Sequence, residues 1–556
     1  MNNISKLQKA RYEYKPKLPS VLKNVNSVKV VEGKKTSSVS DAEELKSIFP
    51  NTFGLPMINF EAGEKQENKP INVAVILSGG QAPGGHNVIA GLFDSLKELN
   101  SESKLFGFLG GPSGLIDNKY IKMSEELINE FRNTGGFDII GSGRTKLESE
   151  DQFEKVLVNL KKLNISALVV IGGDDSNTNA GILAEYYEKN NSGVQVIGVP
   201  KTIDGDLKNE MIEASFGFDT ATKVYSELVG NIQRDANSAK KYYHFIKLMG
   251  RSASHIALEC GLQTHANITI ISEEVEKKNY SLQDVVEYIA DVIVKRSDAG
   301  KDFGVVIIPE GLIEFIPDMK KLIATLNNLL EENKVEFEKI DELEEKRKFV
   351  LSKLGNELKN TYEILPKDIA YQMIMERDPH GNVQVSVIET EKLLIDLVGN
   401  RLSQYKKAGK YNGKFSTRNH FFGYEGRCAA PTNFDADYTY SLGYSATVLI
   451  VSKITGYMVS IKNLSSESSK WLPGGVPLTS MMNIEKRKGK NKTVIRKALV
   501  ELDGNPFKEL IKNRSKWALE NYYIYPGPIQ YFGPSEIVDR RAKTIELERF
   551  HTKSGF

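Results

Sequence analysis

The sequence contains very little cysteine. Its 556 residues include only two, Cys260 and Cys428. Two isolated cysteines are too few for a disulfide framework or for a cysteine-based zinc site. This composition fits a reducing compartment, so we expect a cytoplasmic protein.

The chain also has no excess of charge of either sign. Lys and Arg total 74 against 72 Asp and Glu, which leaves a formal net charge of +2. Such a balance provides no global field that would attract nucleic acid, and we expect no nucleic-acid partner. Any site for an anion must therefore be built locally.

Long apolar runs are absent as well. The opening segment, MNNISKLQKARYEYKPKLPS, has no apolar stretch typical of a signal peptide, and no other segment approaches the length of a bilayer-crossing helix. We expect a soluble intracellular protein with no membrane partner.

What the sequence does contain is a repeated strand, glycine and helix pattern. VAVIL precedes SGGQAPGGHN, ALVVIGG precedes DDSNTNAGILAEYY, and VQVIGVP precedes KTIDGD. This alternation is typical of parallel strands joined by crossover helices, with ligands at the carboxyl ends of the strands. The predicted fold class is α/β, with two Rossmann-like lobes, parallel-rich sheets and an active site in the cleft between the lobes.

The same pattern suggests a division of the chain. We predict an N-terminal extension at 1–70, a first lobe at 71–240, and a second lobe at 241–312 and 366–450. A helical insertion is expected at 313–365 and a C-terminal extension packing on the lobes at 451–556. The length of the chain exceeds what one compact core usually holds, which favours more than one domain.

Three segments allow more than one interpretation. The mixed-charge insertion at 313–365 is typical of a solvated helical hairpin, with a coiled-coil or DNA-binding role as the alternative. The basic run EKRKGKNK at 485–492 favours a solvated loop. The aromatic stretch YYIYPGPIQYFGP at 522–534 is too rich in proline and glycine for a helix, and is expected to pack across a lobe.

The first turn of interest, 78–85, reads SGGQAPGG directly after a strand. Glycines such as Gly79 and Gly80 let backbone N–H groups approach a phosphate, and the following helix N-terminus faces the anion. A purely structural glycine turn is the alternative, because the motif is neither GxGxxG nor a Walker loop.

The second turn places Asp174 and Asp175 after Gly173 at a strand end. A carboxylate there is suited to hold Mg²⁺ that bridges phosphoryl oxygens. The alternative is a pair of N-terminal capping residues for the next helix.

The third turn, 200–206, supplies Lys201, Asp204 and Asp206. One aspartate can accept a hydroxyl proton while the lysine neutralises phosphate charge, which is the division of labour that in-line phosphoryl transfer requires. A turn with incidental charges is the alternative.

These three turns, followed by MGR at 249–251, PEG at 309–311 and GYEGR at 423–427, resemble the phosphofructokinase family in content and order. The long extensions, the insertion and PGPIQYFGP resemble its long pyrophosphate-dependent branch. The resemblance implies reversible phosphoryl transfer from pyrophosphate to the 1-hydroxyl of fructose 6-phosphate, with Mg²⁺ as cofactor.

The resemblance also implies roles for individual residues. Asp204 would be the base, assisted by Asp206, with Asp174 as the metal ligand. The phosphoryl donor would contact Gly79, Gly80 and Gly173, with Arg144 beside the transferring group. The sugar-phosphate residues would be Thr202, Ile203, Asp204, Met249, Gly250, Arg251, Glu310, Arg418, Tyr424, Glu425, Gly426 and Arg427.

Two departures from the ATP-using branch favour pyrophosphate as donor. Asp175 stands where those enzymes have glycine, and a carboxylate there would repel the nucleotide α-phosphate. Lys201 stands where they commonly have glycine, and its ammonium can stabilise departing orthophosphate. The alternatives are an ATP-dependent phosphofructokinase, an NAD or lipid kinase with a similar GGD turn, and a regulatory subunit of the same fold.

Two further departures concern the sugar phosphate. Tyr242 stands where many family members donate an arginine across a subunit boundary, so we assign Lys241 and Tyr242 to a cross-subunit contact in a homodimer with shared active sites. Tyr424 replaces a family histidine and keeps a hydrogen-bonding group. Ordinary packing of both tyrosines is the alternative.

Overall fold

A computed structural model describes residues 4–377, 383–487, 490–538 and 541–548. The chain divides into two compact units, the first formed by Met1–Val224, Tyr424–Ala498 and Ile529–Phe556, the second by Tyr225–Gly423 and Leu499–Pro528. The sequence-based division instead ended the first lobe at residue 240 and assigned 366–450 to the second. It missed that the chain returns to the first unit at Tyr424.

The strands follow the predicted apolar runs and add several at the two ends of the chain. In chain order they are β1 (Val28–Lys35), β2 (Pro56–Ala62), β3 (Asn72–Ser78), β4 (Lys104–Phe108), β5 (Tyr120–Lys122), β6 (Ser142–Gly143), β7 (Ile165–Gly172), β8 (Gln195–Pro200), β9 (Tyr243–Leu248), β10 (Ile268–Thr269), β11 (Gly304–Pro309), β12 (Thr417–Phe422), β13 (Tyr457–Lys462), β14 (Leu472–Pro477), β15 (Met482–Arg487) and β16 (Lys490–Ile495).

The helices alternate with the strands, as crossover connections require. They are α1 (Lys6–Tyr12), α2 (Ala42–Ile48), α3 (Gly85–Leu99), α4 (Pro112–Asp117), α5 (Glu125–Phe131), α6 (Glu150–Lys162), α7 (Asp174–Lys189), α8 (Phe218–Ala239), α9 (His255–Thr264), α10 (Ser272–Lys277), α11 (Leu282–Asp298), α12 (Leu312–Phe315), α13 (Pro317–Glu332), α14 (Lys334–Glu338), α15 (Leu343–Lys353), α16 (Asn356–Glu363), α17 (Lys367–Met375), α18 (Thr390–Lys407), α19 (Tyr424–Arg427), α20 (Asn433–Val451), α21 (Asn505–Leu519), α22 (Ser535–Val538) and α23 (Lys543–Leu547). None of these helices combines the length and the apolar character that crossing a membrane requires.

Apart from the two-stranded sheet of β15 and β16, the described strands of the first unit form one large sheet in the order β1-β2-β14-β13-β8-β7-β3-β4-β5, with β6 beside β3. Its central strands from β13 to β4 pair in parallel, whereas β1, β2, β14 and β5 add antiparallel edges. The central strands are continuous apolar runs because helices cover both faces of a parallel sheet. The predicted terminal extensions are therefore partly integral, since they supply β1, β2, β13 and β14.

The second unit is built on a smaller parallel sheet in the order β10-β11-β9-β12. The helical insertion belongs to this unit, but it is not the solvated hairpin that its charge suggested. Apolar residues of α13 spaced three and four apart, including Met319, Leu322 and Leu326, join the buried core together with Val350 and Tyr362.

The other two ambiguous segments also took definite forms. The described residues of the basic run lie on β15 and β16, which pair as an antiparallel hairpin, so the predicted loop is wrong for them. Residues 488–489 of the run lie outside the described residues. The aromatic stretch forms neither helix nor strand from 522 to 534. It is anchored on the second unit by Ile524, whose N–H donates to the Thr264 carbonyl at 3.0 Å.

Candidate active site

The three predicted turns meet at one edge of the large sheet. Ser78 pairs with Gly143, and Gly172 pairs with Pro200, so β3, β6, β7 and β8 end side by side. Backbone hydrogen bonds join the turns, from Gly79 N–H to the Gly143 carbonyl at 2.9 Å and from Lys201 N–H to the Gly172 carbonyl at 3.0 Å. Parallel register thus brings together residues that lie far apart in the sequence.

Three cationic side chains surround the first glycine turn. A Cβ on Gly79 would lie 3.4 Å from the Lys201 Nζ, and one on Gly80 would lie 2.5 Å from Nη2 of Arg427 and 3.8 Å from Nη2 of Arg144. Gly79 has a φ of +83°, a conformation that favours glycine. The missing side chains leave room for an anion to reach the backbone between the three cations.

Lys201 is the buried member of this trio. It is 6% exposed. Burial, together with the charges of Arg427 and Arg144, lowers the pKa of its ammonium to about 8, while Asp204 and Asp174 oppose this shift. A lysine in this state strongly favours a nearby anion, because an anion would restore the charge balance that burial disturbs.

Two hydroxyl groups hold the third turn, one from Thr202 within the turn and one from Ser215. Asp204 N–H donates to Oγ1 of Thr202 at 3.1 Å, and the Ser215 hydroxyl donates to the Thr202 carbonyl at 2.9 Å. Ile203 is buried, whereas Asp204 is partly exposed. Asp204 is therefore accessible to a substrate hydroxyl.

Asp174 and Asp206 converge on Lys497, a residue that the motifs did not identify. The Lys497 Nζ lies 3.6 Å from an oxygen of each carboxylate. Burial, and then the charge of Asp174, raises the pKa of Asp206, while Lys497 opposes this shift. No sequence signal pointed to Lys497, which lies in the segment taken as an extension.

Asp174 and Asp175 open helix α7, but they do not cap it. Gly173 is the N-terminal cap, and both aspartates lie in the first turn, where they face the positive end of the helix dipole. The side chain of Asp175 is 54% exposed and pairs with Lys146 at 3.2 Å. Asp175 is thus partly neutralised by a lysine from the segment GSGRTK at 141–146, in which the sequence analysis identified only Arg144.

The short helix α19 presents the GYEGR residues of the first unit. Tyr424 is 69% exposed, and the Arg427 guanidinium lies 5.2 Å from the centroid of its ring. Arg427 also donates to Oε1 of Gln81 at 2.7 Å. Glu425 is exposed and Gly426 is buried.

In the second unit, the MGR and PEG residues meet where β9 and β11 end. Gly250 N–H donates to Oε2 of Glu310 at 2.9 Å, and Glu310 N–H donates to the Leu248 carbonyl at 2.9 Å. Gly250 has a φ of +127°. Met249 lies beside this turn, and Arg251 is exposed.

Lys241, Tyr242 and Arg418 lie at the opposite end of the same sheet. Tyr242 immediately precedes β9, and Arg418 pairs with the second residue of that strand, His244. Nη2 of Arg418 donates to the Tyr242 hydroxyl at 3.2 Å, and the guanidinium lies 4.2 Å from the ring centroid. The six residues of β9 extend roughly 20 Å, so within one copy these three residues do not join Glu310.

Asp174 and Asp206 form a carboxylate pair of the kind that holds Mg²⁺ in proteins. Asp174 and Asp206 each place one oxygen near the same cationic atom of Lys497. The described residues contain no group of three or more His, Cys, Asp or Glu suited to hold a metal ion. One or two carboxylates completed by substrate phosphates is the usual protein site for Mg²⁺, so the pair fits this ion.

The comparisons with known proteins support the resemblance stated from the motifs. The family model described as phosphofructokinase matches residues 72–450. A Porphyromonas gingivalis protein named pyrophosphate–fructose 6-phosphate 1-phosphotransferase is 60% identical over 98% of this chain and 99% of its own length. A Treponema pallidum protein of the same name is 52% identical over 98% of this chain and 97% of its own length.

A solved structure supports the fold. The pyrophosphate-dependent phosphofructokinase from Nitrosospira multiformis aligns with a TM-score of 0.53 and 16% identity, covering 85% of this chain and 96% of that one. The predicted α/β class is confirmed.

Proposed function

This chain belongs to the phosphofructokinase family, and on that premise we propose that it transfers a phosphoryl group reversibly from inorganic pyrophosphate to the 1-hydroxyl of fructose 6-phosphate. The products are fructose 1,6-bisphosphate and orthophosphate. The observation that carries this proposal is the edge of the large sheet, where Lys201, Arg144 and Arg427 surround the glycine turn and Asp204 follows at the end of β8.

The donor is assigned to the glycine turn. Gly79, Gly80 and Gly173 lack the side chains that would fill it, and the three cations supply charge-assisted contacts to diphosphate oxygens. Asp175 adds a carboxylate at the start of α7, where the ATP-using branch has glycine. Its charge disfavours a nucleotide α-phosphate more than it disfavours a compact diphosphate.

The chemical step follows from the positions of Asp204 and Lys201. Asp204 accepts the proton of the 1-hydroxyl while that oxygen forms a bond to the transferred phosphorus. The bond from this phosphorus to the bridging oxygen breaks, and its electron pair leaves with orthophosphate. The Lys201 ammonium neutralises the leaving group.

Asp174, with Asp206 as the second carboxylate, is assigned to hold Mg²⁺. A bound ion would supply positive charge that stabilises the negative charge of the transferring phosphoryl group. Asp206 is deeply buried, and its carboxylate shares the Lys497 ammonium with Asp174.

The sugar phosphate is assigned to the family-matched residues of each unit. In the first unit these are Thr202, Ile203, Tyr424, Glu425, Gly426 and Arg427, and in the second Met249, Gly250, Arg251 and Glu310. Because Arg418, Lys241 and Tyr242 lie at the far end of β9, we assign them to the site of a second copy, in a homodimer with shared active sites.

Turnover by the purified chain tests the proposal. Activity with pyrophosphate, fructose 6-phosphate and Mg²⁺, and little activity with ATP, is the expected result. Turnover with ATP alone would favour the nucleotide-dependent alternative, and no turnover with any donor would favour a regulatory subunit.

A second measurement assigns the base. Asp204→Ser is expected to abolish turnover while leaving fructose 6-phosphate binding largely intact, because it removes only the proton acceptor. Near-normal turnover in this variant would contradict the assignment.

A further inference from the structure

Lys497 lies outside every motif, yet the fold fixes its position from three sides. Ile495 N–H donates to Oγ1 of Thr178 on α7 at 3.1 Å, and Arg496 N–H donates to the Met481 carbonyl at 3.0 Å. On the other side, Ala498 N–H donates to the carbonyl of Asp206 at 2.7 Å. The chain that follows the β15–β16 hairpin therefore places the Lys497 side chain beside the turn that contains Asp206.

The ammonium is shared between two carboxylates. Its distances to Asp174 and Asp206 are both 3.6 Å, and the side-chain exposures of Lys497, Asp174 and Asp206 are 32%, 25% and 8%. Surface lysine pairs of the same unit differ from this arrangement. Lys492, on β16, also lies 3.6 Å from Glu148, but its side chain is 51% exposed and that of Glu148 is 64% exposed.

Two neighbouring carboxylates with limited access to water repel one another unless a cation lies beside both. Lys497 provides that cation within the chain itself. A free divalent cation that approaches the pair must displace the ammonium from the same two oxygens. Diphosphate changes this balance, because its own negative charge attracts both cations at once.

We propose that Lys497 is a positioning residue that neutralises the Asp174–Asp206 pair until diphosphate arrives, and so makes binding of the divalent cation depend on diphosphate. The inference rests on the proposed function, since it takes this pair as the metal site. It concerns a residue of the C-terminal hairpin that contributes to the site without any motif of its own.

Binding of Mn²⁺, used as a spectroscopic substitute for Mg²⁺, tests the proposal without turnover. Free Mn²⁺ is titrated by electron paramagnetic resonance into the full chain in the absence of any substrate. Lys497→Met is expected to bind Mn²⁺ about tenfold more tightly than the unsubstituted chain, because the two carboxylates lose their internal cation. Lys497→Arg, which keeps the charge, is expected to bind as the unsubstituted chain does.

Lys492→Met is the matched control, since it removes a hairpin lysine with the same ion-pair distance from an exposed carboxylate. Its Mn²⁺ affinity is expected to be unchanged. Lys497→Gln is measured in parallel with thermal unfolding, so that a folding defect in one variant does not decide the outcome. Unchanged or weaker Mn²⁺ binding in the folded Lys497→Met and Lys497→Gln variants would overturn the proposal.

A double variant, Asp174→Asn with Lys497→Met, locates the effect. The gain in Mn²⁺ affinity is expected to disappear, and its survival would overturn the proposal because the cation would then bind elsewhere. Failure of the proposed function would instead appear as absent turnover of the unsubstituted chain with pyrophosphate, a separate measurement.

Discussion

The Lys201 ammonium lies 3.4 Å from the position that a Cβ on Gly79 would occupy. The backbone at Gly79, after the end of β3, is thus not covered by a side chain of its own. The buried ammonium of Lys201, after the end of β8, lies beside it. Neither feature alone identifies a phosphate site, since glycine turns and buried lysines both have structural roles. Their proximity makes the pair suited to a small polyanion.

The pH dependence of donor use should follow Lys201. Burial lowers its pKa to about 8, so its ammonium is present below that pH and is lost as the pH rises through it. We expect kcat/KM for pyrophosphate, which reports the free enzyme, to fall across this range. Lys201→Arg should move the decline to higher pH, because arginine stays protonated. If kcat/KM of the Lys201→Arg variant declines at the same pH as that of the unsubstituted chain, the decline belongs to the titration of another group.

Lys201→Met should lower kcat with pyrophosphate by roughly 10²–10³, the usual effect of removing one group that stabilises transition-state charge. Binding of fructose 6-phosphate, measured by calorimetry, should change little. A comparable loss of sugar-phosphate affinity would indicate that the lysine has a different role.

The lack of a side chain at Gly80 should matter for the donor more than for the fold. A Cβ there would lie 2.5 Å from Nη2 of Arg427, the end of a flexible side chain that can move away. Gly80→Ala should therefore raise KM for pyrophosphate about tenfold, at a cost of about 1.4 kcal/mol of binding, with little change in thermal unfolding. Gly355→Ala, where a Cβ would meet nothing within 4 Å, is the control and should leave KM unchanged.

Donor choice is expected to depend on Asp175. Asp175→Gly should increase turnover with ATP relative to pyrophosphate, because the carboxylate no longer opposes a nucleotide α-phosphate. Lys146→Met is the matched control, since it removes the lysine paired with Asp175 and keeps the carboxylate. An unchanged donor ratio in Asp175→Gly would place the discrimination in other residues.

The sequence could predict which residues meet at the large sheet because parallel strands end at one edge. Gly79, Asp174 and Lys201 follow three apolar runs, and that rule alone brings them together. Lys497 could not be found in this way. Its position depends on a hairpin packed against α7, and nothing in the local sequence records such long-range packing.

Motif spacing also does not indicate which end of a strand a residue occupies. Arg418 precedes Tyr424 by six residues, and the family resemblance assigned both residues to the sugar phosphate. In the structure Arg418 is the second residue of β12, at the amino end of that strand, whereas Tyr424 follows its carboxyl end. Charge density was misleading for a related reason. A dense run of charges indicates that a segment is exposed to solvent, but it does not distinguish a loop from an exposed strand. The basic run of β15 and β16 was therefore expected to be a loop.

A structural prediction concerns Arg296 in the second unit. This fully buried guanidinium donates to the carbonyl oxygens of Phe303 and Ala518 and to Oδ1 of Asn521. Arg296→Met would leave these acceptors unpaired, and should lower the free energy of unfolding by about 2–4 kcal/mol in urea titrations. Arg401→Met, which breaks a partly exposed pair with Glu287, should cost under about 1 kcal/mol.

Sharing of sites between two copies can be tested by mixing inactive variants. Asp204→Ser removes the proposed base, and Arg418→Met removes a cation that we assign to the site of the other copy. In a hybrid dimer, one of the two sites would combine an intact Asp204 with an intact Arg418 from the partner. Co-expression of equal amounts should therefore restore about a quarter of full activity, since half of the dimers are hybrid and each has one complete site.

The restored activity should be measured at low fructose 6-phosphate, where loss of Arg418 weakens the reaction most. Two different affinity tags allow the hybrid to be isolated and compared with each parent variant. If Arg418 instead acts within its own copy, the hybrid contains no complete site and stays inactive. That outcome would require the guanidinium, now hydrogen-bonded to Tyr242 at 3.2 Å, to serve a role other than binding the partner's sugar phosphate.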